Sequence, residues 1–206
     1  MKPLRNCLLY WALLFASSLF AYSEEGIRIK VQAGAGIPTE DYLDTHIVSG
    51  LGITISLEKR LSLSFDLGYW KSTIEQVPAK FYDGRLKAFP LLASLQLFLL
   101  RQDRVNPYVF LGCGYIFSSF AMQDIVTIPE ITIDQDIKSG PFFQGGFGID
   151  VHISRTIGVF AEASSFRRKT TGVTTIMDLN SGTMTQEFPI NLNAWILQIG
   201  IKCLIE

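Results

Sequence analysis

From Ile27 onward, apolar and polar residues alternate: Ile27, Ile29, Val31, Ala33, Ala35 and Ile37 share one side of an extended backbone, and Arg28, Lys30, Gln32, Gly34 and Gly36 the other. Successive side chains of a strand point to opposite faces, so a period of two predicts a strand with unlike faces. The pattern recurs over 47–58, 61–70, 85–100, 107–117, 142–153, 157–167 and 189–205. These eight segments each have about the ten residues that a tilted strand uses to cross a bilayer. The connections alternate too: Lys59-Arg60, Arg101 to Asn106 and Ser154 to Thr156 are short, whereas 38–46, 71–84, 118–141 and 168–188 are long. Short periplasmic turns and long outer loops mark an up-and-down membrane barrel. The expected fold class is all-β, an eight-stranded antiparallel up-and-down transmembrane β-barrel. In the last loop, Thr174 to Met177 and Thr183 to Gln186 flank Asn180-Ser181-Gly182, whose turn chemistry predicts a hairpin above the membrane.

The faces decide between a soluble and a membrane barrel. One carries Ile53, Ile55 and Leu57; Leu63, Phe65 and Leu67; Leu91, Leu95 and Leu97; and Trp195, Leu197, Ile199 and Ile201. The other carries Gly50, Gly52, Thr54 and Ser56; Ser62, Ser64, Asp66 and Gly68; Gly112 and Gly114; and Gln144, Gly146, Gly148 and Asp150. A membrane barrel turns its continuous apolar face outward and fills its inside with small and polar groups. Lipid is therefore expected outside, with Tyr69, Phe89, Tyr115, Phe117 and Phe143 as an interfacial girdle at the outer end.

The N-terminus agrees with export. Lys2 and Arg5 precede an apolar run from Leu8 to Tyr22, too short for a comfortable spanning helix, and small residues suit cleavage after Ala21 or Ser23. The expected organisation is a signal peptide over 1–23 and one barrel domain over 24–206. Cys7 precedes the apolar run and so is not placed for lipid modification. Losing Lys2 and Arg5 lowers 18 basic residues to 16 against 19 acidic ones, which argues against nucleic acid as a partner. Hydrophobic residues make up 48%, yet the longest later apolar stretch, Ala88 to Leu100, is interrupted by Pro90, Ser94 and Gln96. Apolar composition without spanning helices leaves strands.

Three stretches carry a family resemblance: Ala88-Phe89-Pro90 to Phe98 with Asn106-Pro107-Tyr108 to Tyr115; Gln144 to Asp150; and Asn193-Ala194-Trp195 to Gly200. In these, and in the order of its elements, the chain resembles the OmpW family of small outer-membrane barrels. The resemblance implies a narrow barrel in outer-membrane lipid, with an apolar channel for small hydrophobic solutes. Such barrels usually finish on an aromatic residue read by the outer-membrane insertion machinery, an expected partner, whereas this sequence finishes Cys203-Leu204-Ile205-Glu206.

Running the strands alternately up and down gives each inward residue a height. Arg28, Lys30, Glu58, Asp66, Asp150, His152, Glu162 and Lys202 fall near the periplasmic end or the middle as a charged floor. Toward the outer end lie Val48, Trp70, Leu86, Leu92, Ile116, Phe142, Phe166 and Leu192, with Ala88 and Ile190, as an apolar cup. Buried charges of both signs must pair, so the floor is expected to close the barrel to water and ions. The cup either admits a hydrophobic guest, which would leave sideways into lipid, or packs as a core, because an eight-stranded interior is barely wide enough for side chains.

Other chemistry is sparse. His152-Ile153-Ser154 with Glu162 superficially resembles the His-x-Ser and Glu arrangement of lipid A deacylases, but it sits at the periplasmic end and Arg155 follows where that family has Asn. No enzyme activity and no cofactor are expected. His46, in the first loop, leaves no histidine cluster for a metal. Cys113 and Cys203 lie on strands five and eight, too far apart to bridge, and are expected to face lipid. Arg167-Arg168-Lys169 crowns strand seven, either meeting anionic headgroups or as a solvated strand end. Two functions follow: a conduit for small hydrophobic molecules, or a non-transporting barrel whose loops 118–141 and 168–188 serve adhesion or host contact.

Overall fold

The computed structural model describes residues 26–74, 84–100, 104–122, 131–178 and 182–205. The signal segment with Cys7, and Asn180 and Ser181 of the expected turn, lie outside the described residues. The strands are β1 (Ile27–Pro38), β2 (His46–Glu58), β3 (Leu61–Ile74), β4 (Gly84–Phe98), β5 (Val105–Met122), β6 (Ile131–Ile137), β7 (Gly140–His152), β8 (Ile157–Arg167), β9 (Lys169–Asp178), β10 (Gly182–Asn191) and β11 (Ala194–Ile205). Eight of them close into an antiparallel barrel in the order β1-β11-β8-β7-β5-β4-β3-β2. Closure runs from Ile27 opposite Ile205 to Pro38 opposite Ala194. A closed barrel leaves no free strand edge, as hydrocarbon demands, because no water is present there to satisfy backbone N–H and C=O groups.

The alternation sorts the two faces. Leu111, Phe147 and Ile199 are more than three-fifths exposed, whereas Ser64, Gln96 and Asp150 on the inner face are buried. Tyr69, Phe89, Tyr115, Phe117 and Phe143 all stand exposed on the outside. Such a wall is an aggregation liability in water and a matched surface in lipid.

The long-loop end differs from the sequence expectation. The segment 118–141 contains the end of β5 and all of β6, and the strand expected over 189–205 is two strands, β10 and β11, separated by Leu192-Asn193. The expected hairpin is present as β9 and β10, paired from Lys169 opposite Asn191 to Asp178 opposite Gly182. β6 joins the other edge of β9, making a three-stranded sheet beyond the barrel. Alternation continues through Ile190, Leu192 and Ala194, so periodicity alone could not locate the break. It is set by contacts across loops: Arg168 N–H donates to Asn193 Oδ1 at 2.9 Å, Leu192 N–H to Arg168 O at 2.9 Å, and Thr39 N–H to Asn193 O at 3.0 Å.

Candidate functional site in the barrel interior

The interior near the long loops is one apolar cluster. Val48, Trp70, Leu86, Ile116, Phe142, Phe166 and Leu192 are buried in it, and half-buried Leu92 packs against it. Trp70 stacks on His46 with ring centres 4.4 Å apart and meets Phe166 edge-on at 5.8 Å; Phe142 lies 4.8 Å from Phe166. The cup is thus filled by its own side chains. Its top is covered by Leu43, by Ile137 of β6 and by Ile190 of β10. Leu192 belongs to this cover as well, which corrects its expected place on the barrel wall: it lies between β10 and β11.

Polar contacts pin the cover. Tyr42 OH donates to Asn191 O at 2.8 Å and accepts from Asn191 N–H at 3.0 Å. Arg168 is only 3% exposed, which corrects the expectation that it meets headgroups or solvent. Its guanidinium donates to Ser118 Oγ and Thr170 Oγ1, both at 3.1 Å, and to Lys138 O, so one side chain ties β5, β9 and the β6–β7 link together. Burial disfavours its charge and pushes its pKa down to about 10. His46, expected in a loop, begins β2 opposite Gly36 and is buried. Reading the alternation back from Val48 to His46 was the signal that could have found it.

The opposite half is polar. Lys30 Nζ lies 2.7 Å from Asp66 Oδ1 and 4.0 Å from Glu162 Oε1; Lys202 Nζ lies 2.7 and 2.8 Å from the two oxygens of Asp150. Tyr108 OH donates to Glu162 Oε1 at 2.6 Å, and Ser64 Oγ to Asp66 Oδ2 at 3.1 Å. The Lys202 ammonium also sits over the rings of Tyr108 and Phe160, 5.0 and 4.8 Å from their centres. Such pairing is what allows charge to persist away from water. Gly52 makes room for it, since a Cβ there would overlap the Asp66 carboxylate and the Lys30 stem. Tyr108 and Phe160 were absent from the expected floor, although their inward position follows from the strand period.

Three expected floor residues lie nearer the short-turn end. Arg28 and His152 are half-buried and border a hollow of about 10 Å³ at the short-turn end, together with Asp150 and Lys202. Glu58 is exposed, a correction with a local cause: the register of β2 against β3 shifts between Ser56 and Glu58, next to the Lys59-Arg60 turn. Ser154 occupies the β7–β8 turn, where its Oγ accepts from Thr156 N–H at 3.3 Å and Ile157 N–H at 3.0 Å. That is a turn residue's role. Cys113 and Cys203 are free and exposed on the outer face. Among the described residues no group of three or more His, Cys, Asp or Glu side chains is arranged to hold a metal ion.

A cavity of about 40 Å³ separates the two halves. Trp70, Leu92, Phe166 and Ile196 border it on one side, and Lys30, Asp66, Glu162, Gln32, Gln96, Gln144 and Gln198, with Phe110 opposite Gln96, on the other. At about 10–15 Å³ per water centre, it has room for roughly three waters. Gly68 and Pro90 also line it, and there the ladder between β3 and β4 is interrupted. Pairing of β3 with β4 runs from Leu61 opposite Leu97 to Leu67 opposite Leu91, lapses over Gly68 and Tyr69, and resumes at Trp70 opposite Ala88. Pro90 has no N–H to donate across the gap. Gly68 accommodates its ring, because a Cβ there would come within 2.8 Å of Pro90 Cγ. On the outer face, beginning at the neighbouring pair Leu67 and Leu91, lies an apolar hollow of about 910 Å³, bordered also by Phe65, Ala93, Cys113, Tyr115 and Phe143.

No protein-family model matches the sequence, and no curated protein matches it either. Solved structures do. The outer membrane protein OprG from Pseudomonas aeruginosa superposes with a TM-score of 0.70 at 13% identity, over 88% of this chain and 96% of that one. E. coli outer membrane protein W gives a TM-score of 0.56 at 15% identity, over 88% and 98%. Outer membrane protein AlkL gives 0.53 at 16% identity, over 88% and 91%. At such identities the likeness is one of fold: this chain is a closed eight-stranded antiparallel β-barrel similar to those outer-membrane proteins.

Proposed function

We propose that this outer-membrane barrel takes up small hydrophobic molecules at its long-loop end and releases them sideways into lipid, its lower interior being closed by paired charges. The observation that carries the reading is the seam at Pro90. Two rungs below the lapse, Asp66 and Leu92, paired across β3 and β4, border both the inner cavity and the outer hollow. Below the seam, the Lys30–Asp66 and Lys202–Asp150 pairs block a straight path through the barrel. A solute in the upper half therefore has the seam as its way out. Uptake requires Leu43, Ile137, Ile190 and Leu192 to lift from the apolar cluster, and contacts of this kind are non-directional enough to re-form around a guest.

Trp70 reports on the reading. In the refolded chain 24–206 carrying Trp195→Phe it is the sole tryptophan, buried beside the cavity. Titration of the bilayer-embedded protein with small apolar compounds is expected to change its fluorescence saturably, and Leu92→Asp to abolish the change. Absence of a saturable change with every compound would count against uptake.

A second reading has its own observation: Thr183, Met184, Thr185, Gln186 and Glu187 of β10 are all exposed on a sheet that stands beyond the barrel. That sheet could serve as a displayed surface for adhesion or host contact. Replacing 169–191 by a short turn would remove such contact while sparing the Trp70 response, which separates the two readings.

A further inference from the structure

Where the two halves of the interior meet, two buried acceptors lack partners. Gln32 and Gln96 are 8% and 1% exposed, both border the 40 Å³ cavity, and the amide oxygen of each has no hydrogen-bond partner. Leaving such an acceptor buried and unsatisfied is costly, so this is a place that favours a donor. The nearby charges act in the same direction. Of the charged groups that border the cavity, Asp66 and Glu162 are two carboxylates against the single ammonium of Lys30, which Asp66 already holds. A carboxylate or phosphate guest would face orphaned oxygens and surplus negative charge; a hydroxyl or ammonium would face partners.

Size and position narrow the guest further. Room for roughly three waters suits a small polar head but no complete solute. The cavity wall includes Gly68 and Pro90, where β3–β4 pairing lapses, and the apolar hollow outside begins at the neighbouring pair Leu67 and Leu91.

We propose that the cavity beneath Trp70 is a head-group site for single-chain amphiphiles whose polar end donates hydrogen bonds, a hydroxyl or an ammonium. Gln32 and Gln96 are its acceptors, and the alkyl chain leaves between β3 and β4 at Pro90. The assignment rests on the sideways route proposed above and names the class of molecule that uses it. A site built to hydrogen-bond a donor discriminates strongly against an analogue lacking it, because its own acceptors are then left unpaired.

The test uses the Trp195→Phe chain in lipid vesicles, titrated with 1-octanol, octylammonium, octanoate and n-octane while Trp70 fluorescence is read. The expected result is saturation by 1-octanol and octylammonium at concentrations about tenfold below that for n-octane, with octanoate weakest. Gln32→Leu and Gln96→Leu are expected to erase that advantage and leave the n-octane response in place. Equal responses to all four probes would overturn the head-group assignment while leaving sideways uptake standing. A saturable response to none would overturn both. Should the leucine variants fail to insert, the four-probe comparison on the intact glutamine pair decides by itself.

Discussion

The barrel closes its two halves with opposite chemistry. Above the cavity, Trp70, Leu86, Ile116, Phe142 and Phe166 fill the lumen with apolar surface, and the cover of Leu43, Ile137, Ile190 and Leu192 merges with them. Below it, Lys30, Asp66, Asp150, Glu162 and Lys202 fill the same width with charge, joined by Tyr108 and Ser64. Apolar packing is non-directional, so the upper half can exchange one neighbour for another at small cost. Buried ion pairs tolerate no such exchange, because removing one partner leaves the other charged and out of water. One half is suited to opening and the other to staying shut.

The largest expected effect sharpens this contrast at its strongest point. Lys202→Met strands the Asp150 carboxylate, and urea unfolding from lipid vesicles should show a loss of about 3–5 kcal/mol. Adding Asp150→Leu should restore most of it, since two apolar groups replace two charges. A single variant as stable as the parent would mean that the lower half is not held by pairing. In the upper half, Leu86→Ala should lose about 2–4 kcal/mol by leaving a cavity, whereas Leu86→Met should lose less than about 1.5 kcal/mol. Comparable losses from both substitutions would remove the claim that this half can repack.

Smaller effects test where each region ends. Arg168→Met removes the donors to Ser118, Lys138 and Thr170, and should loosen β6 and β9 by about 1–2 kcal/mol in amide exchange while barrel unfolding is unchanged. Equal loosening of the barrel would show that the cover and the wall form one cooperative unit. Glu58→Gln should stay within about 0.5 kcal/mol of the parent, because the bulge between Ser56 and Glu58 leaves this carboxylate outside the floor.

Much of this was legible in the chain beforehand. The eight barrel strands, the inward glycines and serines, and the apolar outer face follow from a period of two, which each strand expresses whatever its neighbours do. The same period ran past the end of the barrel, assigned Leu192 to its wall, and gave no sign of the β10–β11 break that Asn193 sets through Arg168 and Thr39. It missed His46, which belongs to β2, and counted Glu58 as inward because a bulge interrupts alternation without changing composition.

The sequence by itself therefore determined the fold class, the lipid-facing side and the split of the interior into apolar and charged halves, since these depend on side-chain direction along single strands. Only the tertiary structure decided that Lys30 takes Asp66 while Lys202 takes Asp150, that the cup is filled, that Arg168 turns inward, and that β3 and β4 part at Pro90. The physical reason is distance along the chain. Partners lie as far apart as Tyr42 and Asn191, and their meeting depends on the stagger of closed strands and on where the long loops fold back, neither of which leaves a mark in local alternation.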